Sequence, residues 1–149
     1  MIKILFVCHG NICRSVMAQF MLEDLLKKEG LEKDFVVDSA ATTSEEIGND
    51  MYYAAKDILT KHGIPYGHHC ARKISAKDID DFDEIICMDQ ENLLSLYRQF
   101  GRLPKIKKLL GNQDVDDPWW TRDFEKTYVD IDEGLHNIVR DINKYTKIK

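Results

Sequence analysis

Cys8-His9-Gly10-Asn11-Ile12-Cys13-Arg14-Ser15 is the stretch of the sequence with most chemistry to offer. A cysteine is a nucleophile only as its thiolate, and cationic surroundings or a helix N-terminus bring a thiol from about 8.5 down to roughly 3.5–7.5. Arg14 carries a planar fork of donors that matches two phosphate oxygens. Gly10 and Asn11 are the residue types that best tolerate positive φ. A loop holding them can turn its backbone N–H groups inward as a nest for an anion, and Ser15 can hydrogen-bond a thiolate. Charge spread over phosphoryl oxygens in a transition state would then meet fixed donors. The spacing alone does not decide the matter, because a buried cysteine at a strand end is also an ordinary core residue. The loop lacks the Gly-Lys-Ser/Thr of a nucleotide-binding loop and is no dinucleotide fingerprint.

Cleaving a phosphate ester also requires a proton for the leaving group. Asp114, Asp116 and Asp117 stand before Pro118 in a stretch without helical period. Aspartates before proline also serve as plain turn formers. Trp119 and Trp120 follow, and the plain expectation is that one or both pack into the core. His68, His69 and Cys70 are adjacent, but no second ligand cluster matches them and a polar loop is the expectation. The four cysteines, Cys8, Cys13, Cys70 and Cys87, form no CxxC pair and no zinc spacing. No metal, cofactor or disulfide framework is expected.

The elements that must position these groups follow from the apolar pattern. Residues 2–7 read as a buried strand, 35–37 as a second, 84–88 as a third and 106–110 as a fourth. Helices are expected from Arg14 to Lys28, closed by Glu29-Gly30, from Met51 to His62, from a Ser75 cap, and from Gln90 to Phe100. Phe124, Tyr128, Ile131, Leu135, Ile138, Ile142 and Tyr145 step by three and four along a last helix. Buried strands alternating with helices predict a single-domain, three-layer α/β fold over residues 1–149. Its centre would be a four-stranded parallel sheet with helices on both faces. Ligands of such sheets bind at the carboxyl ends of strands, so the phosphate-binding loop should follow the first strand.

Composition narrows the class. The chain of 149 residues is 44% hydrophobic and 32% charged, enough for a normal core in one domain. A net charge of −5 with no dominant basic stripe argues against nucleic acid as a partner. Lys105, Lys107 and Lys108, and Lys144, Lys147 and Lys149, read as solvated surface. No stretch reaches membrane-span length. The apolar opening is too short for a signal peptide, so a cytoplasmic monomer is the expectation.

Val7 to Ser15 resembles the phosphate-binding loop of the low-molecular-weight protein tyrosine phosphatases. The resemblance continues through Asp38-Ser39-Ala40-Ala41, His69-Cys70-Ala71-Arg72, Phe82-Asp83, Ile86-Cys87-Met88-Asp89 and Asp116-Asp117-Pro118. It implies hydrolysis of phosphotyrosine and small aryl phosphates through a phosphocysteine on Cys8, with Arg14 binding the phosphoryl group. Asp117 would be the general acid and then the base. Trp119, standing where the family usually has tyrosine, would wall the cleft. Gly10, Asn11, Ile12, Cys13 and Ser15 would line the phosphate site. His69 would support Asn11, with His68 as the competing candidate, while Arg72 and Asp89 would orient the loop or form surface salt bridges. Cys13 would guard Cys8 by a reversible disulfide.

Some residues depart from the family pattern. His9 replaces a leucine or threonine and brings a titratable group to the loop entrance. Val16 stands for proline and Gln19 for glutamate. Glu45 occupies a position where some members carry an aromatic wall, which predicts a more acidic rim disfavouring acidic substrate flanks. Arsenate reductase shares the fold, but its relay needs a cysteine after Cys87 and none follows. Protein-arginine phosphatases tend to have threonine where Ile12 stands. A non-catalytic phosphate-binding module would have no need of Cys8, Arg14 and Asp117 together.

Overall fold

β1, Ile2–Cys8, is buried from Ile4 onward and sends alternate side chains into two cores. Ile4, Phe6 and Cys8 face one, and Leu5 and Val7 the other, as the two-residue period of a strand requires. This computed structural model describes the backbone of residues 1–147 and the side chains of residues 1–142. The side chains of Tyr145 and of the cluster Lys144, Lys147 and Lys149 lie outside the described residues.

The remaining strands are β2 (Phe35–Ala41), β3 (Glu84–Cys87) and β4 (Ile106–Lys108). All pair in parallel, in the order β2-β1-β3-β4. The helices are α1 (Arg14–Lys28), α2 (Tyr53–Lys61), α3 (Ala76–Asp81), α4 (Gln90–Phe100), α5 (Pro118–Thr121) and α6 (Phe124–Lys147). Met17, Met21 and Leu22 of α1, Leu59 of α2, and Ile131 and Leu135 of α6 pack on the Phe6 side of the sheet. Leu96 of α4, with Ile74 and Phe82 on either side of α3, covers the Val7 side. The expected three-layer α/β architecture is the one observed. No helix among the described residues is long and apolar enough to cross a membrane.

The chain leaves β1 for β2 on one side and then crosses from β2 back past β1 to β3 on the other. The loop between β1 and α1 therefore sits where strand order reverses, outside the carboxyl ends of the strands.

Several boundaries differ from the sequence reading. β2 runs on through Asp38-Ser39-Ala40-Ala41, because its small side chains fit beneath α1, where Ser39 Oγ donates to Gln19 Oε1 at 2.6 Å. β4 is shorter than expected: after Leu109 N–H donates to Cys87 O the chain turns, and Leu110 pairs antiparallel with Gln113. α5 was not anticipated, since a four-residue turn started by proline has no period to read. Lys105 and Lys108 are not solvated surface. Lys105 Nζ donates to the carbonyls of Ile79 and Phe82 at the end of α3, and Lys108 binds Asp114 at 2.9 Å. The Ser75 cap is present, as a capping box with Asp78.

Candidate active site

The loop from Cys8 to Cys13 has its carbonyls tied outward. Cys8 O accepts from Thr42 N–H, His9 O from Thr43 N–H and Oγ1, Ile12 O from Tyr52 N–H, and Cys13 O from Met17 N–H. Asn11 O accepts from His69 Nε2 at 2.7 Å, which fixes the proton of that imidazole on Nε2. With the oxygens facing the body of the protein, the N–H groups are left for the inside of the curl. Those of Gly10, Ile12 and Cys13 donate to no protein acceptor among the described residues. Arg14, Ser15 and Val16 open α1, so their N–H groups have no intrahelical acceptor either. The result is an anion nest on a helix N-terminus.

Asn11 makes the curl, with φ of 61°. Gly10 does not share that conformation; its place is set by Glu46, whose Cγ would lie 3.3 Å from a Cβ added there. The Asn11 side chain is fully buried. Its Nδ2 donates to Ser15 Oγ at 2.8 Å, and its Oδ1 accepts from Arg72 N–H at 3.2 Å. Because Ser15 Oγ already accepts from Asn11, its own hydrogen is free for Cys8 Sγ, 3.0 Å away. Asn11 N–H supplies a second donor to that sulfur at 3.3 Å.

Arg14 is 2% exposed. Both hydrogens of its Nη1 are taken, by Asp89 Oδ2 at 2.7 Å and Val115 O at 2.8 Å, which leaves Nη2 and Nε for a ligand. Burial works against this guanidinium, but the negative charges of Cys8 and Asp89 outweigh it and raise its pKa. Asp117 lies 3.5 Å from Nη2. As N-cap of α5 it accepts from Trp119 N–H through Oδ1 at 3.0 Å, so Oδ2 is the oxygen directed toward Arg14.

One cavity of about 350 Å³ collects these groups: Cys8, Arg14, Asp89 and Asp117 line it, with Ile12, Cys13 and Trp119. His9 and Glu45 stand at its rim, joined by a hydrogen bond of 2.8 Å between Nε2 and Oε2, so the Glu45 carboxylate expected to face the substrate is engaged by His9. Four further lining residues escaped the sequence reading of the cleft: Glu46, Glu91, Asn92 and Trp120, the last 80% exposed. Glu46 adjoins Glu45 and Trp120 adjoins Trp119, so chain proximity pointed at both; nothing in the sequence marks Glu91 or Asn92.

Neither Trp119 nor Trp120 is a core residue. Trp119 instead meets the ring of Tyr52 edge-on at 5.1 Å between centroids. Of the two neighbouring histidines, His69 reaches the loop, while the exposed His68 lies 3.8 Å from Asp50. Burial lowers the pKa of His69. Asp50 holds its backbone, accepting from His69 N–H at 3.0 Å, and the Lys56 bond keeps that carboxyl down at about 2. Arg72 touches the loop through its backbone, whereas its guanidinium pairs with Asp38 and Asp78. Burial, then the negative charges of Cys8 and Asp117, push the Cys13 thiol upward. Burial and Asp89 push Cys87 up to about 12.

The comparisons with known proteins agree in one direction. Residues 3–148 match the family model described as low molecular weight phosphotyrosine protein phosphatase. The low molecular weight protein-tyrosine-phosphatase YfkJ of Bacillus subtilis is 41% identical over 97% of each chain, and its crystal structure superposes with a TM-score of 0.92. The human low molecular weight phosphotyrosine protein phosphatase is 39% identical over 85% of this chain and 86% of its own. A crystal structure of a Drosophila arginine phosphatase, 33% identical over 95% of this chain and 98% of that one, gives 0.87. With near-complete coverage and a nest, a cysteine and an arginine at the switch point, the chain belongs to the low molecular weight phosphotyrosine protein phosphatase family.

Proposed function

We propose that this protein hydrolyses phosphotyrosine, in proteins and in small aryl phosphates, through a phosphocysteine on Cys8. The reading rests above all on the juxtaposition of Cys8 Sγ, the inward N–H groups and Arg14 in the cavity that Asp117 also lines. The phosphoryl group of the substrate sits in the nest with its oxygens on the N–H groups and the free Arg14 hydrogens. The Cys8 thiolate, solvated by Ser15 and Asn11 N–H, attacks phosphorus, and an S–P bond forms as the P–O bond to the phenol breaks. Asp117 gives its proton to the departing oxygen. It then takes a proton from water as that water attacks phosphorus, which releases inorganic phosphate and returns the thiolate.

Two wall residues favour an aryl ester. Ile12 presents an apolar side chain beside the nest, and the Trp119 ring lines the path above it. Phosphoarginine would bring a cationic leaving group past both. We infer a cytoplasmic monomer that needs no metal.

The test is turnover of a chromogenic aryl phosphate in the presence of chelator. Cys8→Ser should abolish it. Asp117→Ala should lower kcat/KM for phenyl phosphate about 100-fold or more, while kcat/KM for an ester of a strongly acidic phenol, whose departure needs no proton, falls far less. Full activity of Cys8→Ser contradicts the mechanism, and faster turnover of phosphoarginine than of phosphotyrosine contradicts the substrate.

A further inference from the structure

The groups that do the chemistry come from two separate parts of the chain. Cys8 and the nest belong to the loop after β1, and Asp117 belongs to the short turn that opens α5. A proton transfer of this kind demands placement within hydrogen-bond reach, so something must set one part against the other. The Arg14 to Asp117 contact at 3.5 Å is too long to do so alone.

Tyr52 and Arg122 supply a second connection. Tyr52 N–H donates to Ile12 O at 2.9 Å, which fixes this residue to the phosphate loop. Its hydroxyl accepts from Arg122 Nη1 at 3.1 Å. Arg122 closes α5 from the other end: its N–H donates to Pro118 O at 2.9 Å, and its guanidinium lies over the Trp119 ring, 5.1 Å from the centroid. Trp119 in turn rests edge-on against the Tyr52 ring. α5 is thus bounded by Asp117 at its N-cap and by Arg122 at its C-cap, and the Arg122 end is bonded to Tyr52, whose backbone is itself bonded to the phosphate loop. Arg122 holds φ of 61°, an unfavourable conformation for a side chain of this kind, so the contacts it makes offset a backbone cost.

We propose that Tyr52 and Arg122 form a clasp that positions the acid-bearing turn over the phosphate loop. They act as positioning residues for Asp117 and Trp119, an inference that rests on the phosphatase reading above. Neither residue lines the cavity, so both act through others. The clasp sets proton delivery and the aromatic wall, and leaves the phosphate nest alone.

The experiment is a leaving-group series of aryl phosphates, from phenyl to dinitrophenyl, on the full chain. It compares the parent with Tyr52→Phe, Arg122→Gly and the double variant. Tyr52→Phe removes one oxygen and keeps the ring stack. Arg122→Gly suits the left-handed backbone, so folding is not the variable. The expected result is a loss of about three- to ten-fold in kcat/KM, which reports phosphorylation of Cys8, on phenyl phosphate, little change in kcat/KM on dinitrophenyl phosphate, and unchanged inhibition by inorganic phosphate. The double variant should lose no more than the worse single one, because the two residues act as a unit. Equal losses across the series, additive losses, or no loss would overturn the clasp. Absence of turnover in the parent itself would instead overturn the phosphatase reading, so the two failures are distinct.

Discussion

Cys8 and Cys13 share one short loop, yet their surroundings differ. Two donors reach the sulfur of Cys8, from Asn11 N–H and Ser15, while none of the described residues donates to Cys13. Burial and the neighbouring negative charges keep Cys13 protonated at neutral pH, so it does not compete as a nucleophile. Oxidation changes that relation. On the proposed redox guard, peroxide would convert the Cys8 thiolate to a sulfenic acid, which would condense with the Cys13 thiol to a disulfide and release water. The negative charge of Cys8, one of the causes that raise the Cys13 pKa, would then be gone. Mild peroxide should inactivate the parent reversibly, with thiol restoring activity; Cys13→Ser should recover less fully, as its sulfenic acid proceeds to sulfinic acid. Equal recovery of the two proteins would remove the protective role.

At the scale of elements, the curl of the phosphate loop is held from outside by the segment carrying His69 and Arg72. Burial lowers the pKa of His69 below its ordinary 6.5, so the folded chain resists a proton that the unfolded chain accepts. Stability from this group is complete above about 6.5 and is lost as pH falls through the folded value. His69→Gln removes the titration. Its urea midpoint should drop less than that of the parent between about pH 7.5 and about pH 5.5, and equal drops would show that His69 does not couple the segment to pH. Sequence alone left His68 and His69 open, because the choice depends on the path of an irregular loop. α1, α4 and α6 were legible from their apolar period, and the Ser75 cap from its residue type. The extension of β2 was hidden by small polar side chains. The Tyr52 to Arg122 bond was hidden by distance, since 70 positions separate the two.

For the whole molecule, two cores on either side of one buried sheet hold the switch point rigid. The layers approach closely where α6 crosses the end of β4. A Cβ on Gly134 would come 2.5 Å from Leu109 Cγ and 2.7 Å from its Cδ1. Gly134→Ala gains about 1 kcal/mol of helix propensity, against an overpacking cost of about 1–3 kcal/mol. It should lower the thermal midpoint in the parent and raise it in a Leu109→Ala background; a higher midpoint in the parent would show the interface to be looser than the structure has it. The sheet, the layers and the position of the loop were readable from alternation of strand and helix. The burial of Arg14 and the grip of Asp89 and Val115 on it were not, since a guanidinium in the core follows only from tertiary packing. The proposed chemistry turns on one bond, between phosphorus and the sulfur of Cys8. Its most direct test is an acid quench of Asp117→Asn during turnover of dinitrophenyl phosphate, followed by mass analysis of the peptide containing Cys8. The expected result is one phosphoryl group per chain, on Cys8, absent from Cys8→Ser. Burst release of dinitrophenol with no phosphate on Cys8, or with phosphate on another residue, would contradict it.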